Sequence, residues 1–418
     1  MNMDGECRQI IRSRVMQDID MTGDIKDEKV GEMIDRCILE YDAAGKLSVR
    51  DKLEIKRELF NSLRRLDVLS ELLDDETVTE IMINGYDNIF IERAGRLFRY
   101  DKKFESEERL KSVIQHIVAG CNRLVNEASP IVDARLADGS RVNVVMPPVS
   151  LSGSVMTIRK FPKEGMTVER LLALGSITPE VAEFLSGLVR AGYNIIISGG
   201  TGAGKTTFLN ALSEFIPKDE RIVTIEDSAE LQIKGIDNLV RLEAREANVE
   251  GDNAVTIRDL IKASLRMRPN RIIVGEVRDA AAIDMLSAMN TGHDGSISTG
   301  HANSSRDMLT RLETMVLMGA DMPISAIRQQ IASAVDIIIQ LGRLRDKSRR
   351  CIEISEVVGL QGGEYVMNKL YEFYETGVNN GRIEGTLRKI NDLNSISKLL
   401  SAGLIHVTRD SAEGSDGH

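Results

Sequence analysis

Tyr193-Asn-Ile-Ile-Ile-Ser-Gly199-Gly-Thr-Gly-Ala-Gly-Lys205-Thr206-Thr207-Phe-Leu-Asn-Ala-Leu212 is the stretch on which the reading of this 418-residue chain turns. Its centre satisfies G-x-x-x-x-G-K-[ST]. The apolar run Tyr193–Ile197 enters the loop as a strand, and the residues from Phe208 onward leave it as a helix. Strand, glycine loop and helix in that order form an anion cradle. Gly199, Gly200, Gly202 and Gly204 let the backbone bend and turn its N–H groups inward, with Thr201 and Ala203 in the same cradle. The following helix presents its positive end to a phosphate. The Lys205 ammonium reaches β- and γ-phosphates, the Thr206 hydroxyl suits Mg²⁺, and Thr207 can hydrogen-bond an α-phosphate. The expected ligands are ATP and Mg²⁺.

Such a loop needs acidic groups to hold the metal and orient water. Outward from the loop, two β runs end in carboxylates: Ile225-Glu226-Asp227 and Ile272-Ile-Val-Gly-Glu276. In a parallel α/β sheet both strand ends open on the edge that carries the glycine loop. Glu226 and Glu276 are therefore candidates for metal support and for activating water. Apolar β runs alternate with helical segments from Thr178 to about Leu370: Asn194–Ser198, Arg221–Ile225, Asn238–Leu242, Arg271–Val274, Gly295–Thr299, Val335–Gln340 and Cys351–Val357. That alternation predicts a mostly parallel sheet with helices on both faces, an α/β P-loop domain over 178–374. Residues 162–177 read as a linker or hinge containing a short helix. Residues 375–418 read as a polar tail, disordered toward Asp410–His418.

Upstream, 1–67 reads as a helical extension. Val30, Met33, Ile34, Cys37 and Ile38 have helical spacing, and Leu53, Ile55, Leu59 and Leu63 repeat it. Residues 68–161 read as an α+β sheet domain. It has a hairpin around Asn84-Gly85, a strand at Arg96–Tyr100 and an amphipathic helix over 106–120. Three more strands follow at Ile131–Leu136, Arg141–Met146 and Val155–Phe161.

Composition narrows the function classes. The chain is 42% apolar but only 4% aromatic and lacks Trp, so its core is aliphatic. Lys+Arg of 54 against Asp+Glu of 64 leaves a net charge of −10, which disfavours phosphate-neutralising contact with nucleic acid. No apolar run approaches the ~20 residues that span a bilayer, and the N-terminus lacks a signal-peptide profile. The expected location is cytoplasmic, with membrane contact only through partners. Cys7, Cys37, Cys121 and Cys351 have no CxxC spacing, so reduced thiols are expected. The 17 methionines read as aliphatic core filling.

Four blocks in order resemble the secretion-superfamily hexameric ATPases of pilus assembly and type II and type IV secretion. Gly199–Thr207 looks like Walker A and Thr224-Ile-Glu-Asp-Ser-Ala-Glu-Leu like the Asp box. Arg271-Ile-Ile-Val-Gly-Glu-Val-Arg looks like Walker B and Ser298-Thr-Gly-His-Ala-Asn303 like the His box. The wording is closest to the CpaF family of Tad/Flp pilus ATPases, supported by Ser264-Leu-Arg-Met-Arg-Pro and Asp133-Ala-Arg-Leu-Ala-Asp-Gly-Ser-Arg141. The resemblance covers about residues 65–360. Two positions depart from the pattern: Asp279 stands where CpaF relatives usually have Gly, and the His box begins Ser-Thr-Gly.

The resemblance implies a RecA-like P-loop domain preceded by a PAS-like α+β domain. It implies a homohexamer at the inner face of the cell membrane, working on inner-membrane platform proteins without nucleic acid. It gives His301 the role of γ-phosphate sensor. It also implies that arginines of the N-terminal sheet domain, here Arg135, Arg141 and Arg159, close over the nucleotide, with Arg245, Arg266 and Arg268 as further candidates. His293 is a second histidine to place. Alternative readings are a conjugation-type or protein-export type IV secretion ATPase, a nucleic-acid translocase of the P-loop class, and a nucleotide-binding regulator that does not turn over.

Overall fold

A computed structural model describes residues 10–15, 27–42, 47–121, 123–161, 165–245 and 253–405. The chain divides into two compact units, Met1–Pro162 and Lys163–His418.

In the first unit, α1 (Asp27–Tyr41) and α2 (Val49–Arg64) bury most of the apolar positions that recur at helical spacing, but Leu53 faces solvent because it falls off the buried Ile55–Leu59 stripe. Val30, Ile34, Cys37, Ile38, Ile55 and Leu59 close with Ile11 and Val15 into a separate small core. Ser48 caps α2 reciprocally with Asp51, satisfying two otherwise unpaired amides. After α3 (Leu69–Asp74) come β1 (Val78–Asn84), β2 (Ile89–Arg93), β3 (Arg96–Arg99), α4 (Glu107–Gly120), β4 (Ile131–Arg135), β5 (Arg141–Val145) and β6 (Val155–Arg159). The six strands form one sheet in the order β3-β2-β1-β6-β5-β4, antiparallel throughout. Ser106 caps α4, whose Leu110, Val113, Ile114, Ile117 and Val118 are buried in one core with Ile81, Ile83, Val142, Val144 and Ile158. Each such side chain contributes roughly 1.5–3 kcal/mol on leaving water. Period-2 alternation turns the intervening residues to the opposite face. There Arg135, Arg141, Arg159 and Glu80 stand in register on successive strands.

The second unit contains, in chain order, α5 (Val168–Ala173), α6 (Pro179–Arg190), β7 (Ile195–Gly199), α7 (Lys205–Leu212), β8 (Ile222–Glu226), β9 (Leu239–Glu243), α8 (Ile257–Ser264), β10 (Arg271–Val274), α9 (Ala281–Met289) and β11 (Ile297–Gly300). Then follow α10 (Ser305–Leu317), α11 (Ile324–Ala334), β12 (Ile337–Arg343), β13 (Arg349–Gln361), β14 (Glu364–Asn379), β15 (Arg382–Lys389) and α12 (Ser397–Ser401). The nine-stranded sheet runs β15-β14-β13-β12-β7-β11-β10-β8-β9. The strands from β12 to β9 are parallel. Helices cover both faces of that part, so its strands read as unbroken apolar runs. Ile195, Ile197, Ile273, Ile337 and Ile339 face one core with α6 and α7. Their neighbours Ile196, Ile272, Val274 and Ile338 face the other with α9, α10 and α11.

The C-terminal part departs from the sequence reading in two ways. β13, β14 and β15 are antiparallel additions to the sheet. Strands also run through 375–389, inside the stretch read as tail. β14 and β15 bury only scattered residues such as Tyr365, Leu370, Tyr371, Ile383 and Leu387. Backbone pairing holds the remainder, and pairing leaves no apolar pattern to read. The disorder expected at Asp410–His418 and the thiol of Cys7 fall outside the described residues. Among the described residues no helix is long and apolar enough to cross a membrane.

Candidate active site

The parallel part of the sheet brings the separated motifs to one edge. Ser198 of β7 lies level with Gly300 of β11, and Val274 of β10 level with Ile225 of β8. The residues just past these strand ends therefore share the sheet edge that carries the glycine loop.

At Gly199 a Cβ would stand 2.7 Å from the Leu341 carbonyl of β12, so only glycine fits between these strands. Gly202 (φ +72°) and Gly204 (φ +90°) occupy the left-handed region, and Gly204 caps the N-terminus of α7. Lys205, the first residue of α7, is buried. Its ammonium donates to the carbonyls of Gly199 at 3.1 Å and Gly200 at 3.2 Å, and lies 3.3 Å from both ring nitrogens of His301. The cation is thus folded against its own loop. Thr206 is half-buried and Thr207 exposed in the same first turn.

Glu226 ends β8 and is 3% exposed. Its Oε1 accepts the Glu230 N–H at 2.8 Å and the Leu231 N–H at 2.9 Å. Its Oε2 is buried with no partner among the described residues. Burial pushes this carboxyl above the usual range, and the two amides oppose that push. Glu276, past the end of β10, is held from two sides. The Nε2 of His301 lies 2.8 Å from its Oε1, and Arg278 Nε donates to its Oε2 at 3.0 Å. Arg278 also reaches Asp227 at 3.3 Å, tying the ends of β8 and β10 together. Burial and the Lys205 ammonium hold the His301 ring below its ordinary pKa, against the pull of Glu276. The approach of Nε2 to Oε1 is close without hydrogen-bond alignment, and that oxygen is buried with no hydrogen-bond partner among the described residues. From β11, the Thr299 hydroxyl donates to the Gly275 carbonyl at 2.7 Å, and the Val277 N–H donates to the Thr299 carbonyl at 3.0 Å. Two bonds therefore lock the peptide that carries Glu276.

Not every candidate is brought here. Arg245 follows β9 on the same edge, with its Nε on the Asn253 carbonyl at 3.0 Å. Arg266 and Arg268 precede β10 and so lie at the opposite edge. His293 precedes β11 and sits there too, its Nδ1 3.3 Å from the Ala288 carbonyl at the end of α9. Arg135, Arg141 and Arg159 form the cross-strand row of the first unit, where Arg135 Nε donates to the Gly139 carbonyl at 3.3 Å. Sequence reasoning did not single out Arg278, Thr299 or Arg349. Arg278 carried a signal: it lies two residues beyond Glu276, hence on the same side of extended chain. Arg349 carried none. Its Nε donates at 2.8 Å to the carbonyl of Gly202, 147 residues away.

Among the described residues no group of three or more His, Cys, Asp or Glu is arranged to hold a metal by itself. Mg²⁺ in a phosphate site keeps waters and phosphate oxygens and takes few protein ligands. The Thr206 hydroxyl, the unpartnered Glu226 Oε2 and the Glu276 carboxylate are the donors present, and oxygen donors of this kind fit that ion. A cradle of positive-φ glycines with an inward ammonium fits a polyphosphate.

The family model for "Type II/IV secretion system protein" matches residues 63–388. The conjugal transfer protein TrbB of Rhizobium radiobacter is 33% identical over 321 residues, covering 76% of this chain and 94% of its own length. The type IV secretion system protein VirB11 of Brucella suis is 32% identical over 320 residues, covering 70% of this chain and 88% of its own length. The crystal structure of the ATPase DotB from Yersinia pseudotuberculosis superposes with a TM-score of 0.52 at 18% identity, over 69% of this chain and 77% of that one, an agreement of fold. The matched stretch contains the glycine loop, both carboxylate-ended strands and all of the nine-stranded sheet but its last residue, Lys389. The chain belongs to the type II/IV secretion system protein family.

Proposed function

We propose that this chain hydrolyses MgATP and, as a homohexameric ring, powers assembly of a Tad/Flp-type pilus or secretion across the membrane. One observation carries the proposal: a buried ammonium parked on its own loop carbonyls, beside a Glu276–His301 pair, at the end of a parallel sheet. An incoming triphosphate offers Lys205 better acceptors than neutral carbonyls. The loop amides and the first turn of α7 hold the phosphate chain. Thr206 with Glu226 and Glu276 would hold Mg²⁺, which when bound would supply charge neutralisation to the phosphate chain. The oxygen of a water attacks the γ-phosphorus, the bond from that phosphorus to the ADP oxygen breaks, and Glu226 or Glu276 takes the water's proton. His301 turns from Lys205 to the γ-phosphate and so reports its presence to Glu276. Arg135, Arg141 and Arg159 add fixed positive charge where the transferred group spreads its negative charge.

A conjugation-type secretion ATPase is a second reading, supported by the likeness to TrbB and VirB11. Both readings share the chemistry and differ in the machine. Both have the ring at the cytoplasmic face of the membrane, reached through platform proteins and without nucleic acid. Phosphate release tests the chemistry. Wild type is expected to turn over ATP with Mg²⁺, Lys205→Ala to lose nucleotide binding, and Glu276→Ala to keep binding while turnover falls by about two orders of magnitude or more. Equal phosphate release by wild type and Glu276→Ala would reduce the chain to a non-hydrolysing regulator. DNA-stimulated turnover would favour a translocase. Loss of surface pilin without loss of DNA transfer in a deletion strain selects the Tad/Flp machine; the reverse selects conjugation.

A further inference from the structure

We infer that Arg349 is a positioning residue for the phosphate loop, and that it couples this loop to the Gly175–Ser176 turn behind α5. The inference rests on the nucleotide reading above.

In an anion cradle the amides face the ligand, so the loop carbonyls face outward and need donors of their own. Lys205 takes those of Gly199 and Gly200. The Gly202 carbonyl is taken by Arg349 Nε at 2.8 Å. The Gly202 carbonyl belongs to the peptide that carries the Ala203 amide, which lies between the loop's two left-handed residues, Gly202 and Gly204. A charged donor on that carbonyl therefore fixes the orientation of the peptide, whose Ala203 N–H closes the loop's turn on the Gly200 carbonyl at 3.2 Å. Arg349 lies close along the loop: a Cβ at Gly204 would stand 3.2 Å from its Cδ. When Lys205 moves to phosphate, Arg349 remains as the cation on the outer side of the loop.

Arg349 opens β13, and the first residues of that strand are bound to one turn. The Ser176 hydroxyl donates to the Arg349 carbonyl at 2.9 Å, and the Cys351 N–H donates to the Ser176 carbonyl at 3.0 Å. Arg350 donates to the Gly175 carbonyl, and also to the Ile383 carbonyl of β15 at 3.1 Å. A shift of the Gly202 peptide thus pulls on a strand end that is paired to β12 and also bonded to the segment following α5, the first helix of the second unit. Ser176 is buried, so its end of the link is sheltered from water, whereas the bond from Arg349 to Gly202 is exposed.

The experiment is a titration of MgATP by binding and by steady-state phosphate release, with the full chain, for wild type, Lys205→Ala, Arg349→Ala, Arg349→Lys and Ser176→Ala. Arg349→Ala should raise KM and Kd for ATP about tenfold with kcat within about twofold, the size of one charge-assisted hydrogen bond at a partly wet site. Arg349→Lys should recover part of the loss. Ser176→Ala should raise KM by a smaller factor, and all three variants should keep the wild-type melting temperature. An unchanged KM in Arg349→Ala, with binding still lost in Lys205→Ala, overturns this inference alone. A KM rise accompanied by an equal drop in melting temperature for both Arg349 variants also overturns it, because it marks a general packing role. Absence of Mg²⁺-dependent ATP binding by the wild type overturns the nucleotide reading and this inference with it.

Discussion

At the scale of single residues, the candidate site consists of groups that occupy one another. Lys205 holds loop carbonyls, His301 and Arg278 hold Glu276, and two amides hold one oxygen of Glu226. Each substitution therefore acts on its neighbours as well as on itself. Gly275 shows this most sharply. A Cβ there would stand 2.9 Å from Cγ of Glu226, with the Gly275 carbonyl fixed by Thr299. Gly275→Ala must displace the Glu226 side chain. We expect a fall in kcat of about a hundredfold, the cost of roughly an ångström of misplacement. The fold should survive with a loss of about 1–3 kcal/mol from overpacking. Parallel measurements of turnover and thermal unfolding check this, and wild-type kcat would show that Glu226 does not need its present position.

At the scale of elements, the segment after β15 straps the sheet at the edge opposite the loop. Glu356 of β13, 2% exposed, accepts the N–H groups of Asn394 at 2.9 Å and Ser395 at 2.7 Å. Lys398 of α12 reaches Asp336 at 2.7 Å and Asp294 at 2.9 Å. Burial pushes the Asp336 carboxyl above its ordinary 3.8, while Lys398 and the Asn194 N–H pull it down. Because the net direction is upward, the folded chain holds this proton more tightly than the unfolded chain does. The stabilising share is complete below about pH 3.8 and is lost as pH rises through the raised value. Lys398→Met removes the opposing ammonium and raises that value further. We expect little loss near pH 4 and about 1–2 kcal/mol at pH 8, less than a fully buried pair would cost. Melting curves of wild type and variant at the two pH values test it, and an equal loss at both would contradict the assignment.

At the scale of the whole molecule, the two units carry separate halves of the proposed chemistry. The second holds the phosphate loop and carboxylates, the first a row of three arginines across β4, β5 and β6. Like charges directly opposite on neighbouring strands are unfavourable, and Glu80 of β1 stands in register beside Arg159. An anion closing on it is the proposed reason for its presence. Arg141→Ala should then leave ATP binding within about threefold and cut hydrolysis by at least about a hundredfold. Wild-type turnover would remove Arg141 from the mechanism. Sedimentation of the full chain with and without a slowly hydrolysed ATP analogue tests the ring, and a monomer under both conditions excludes it.

The order of motifs along the chain was enough to determine the nucleotide loop, the carboxylates at the ends of β8 and β10, and the alternation of strands and helices. Each of these has a local cause: glycine where φ is positive, a Lys beside a helix start, an apolar run where both faces of a strand are covered. The register of Arg135, Arg141 and Arg159, the pairing of Arg278 with Glu276 and Asp227, and the lock of Thr299 on Gly275 needed the strands aligned. The same holds for the strands over 375–389, whose stability comes from backbone bonds that any sequence can make. Only the tertiary structure could bring Arg349 to Gly202, because nothing in the chemistry of an exposed arginine says which distant carbonyl will accept its proton.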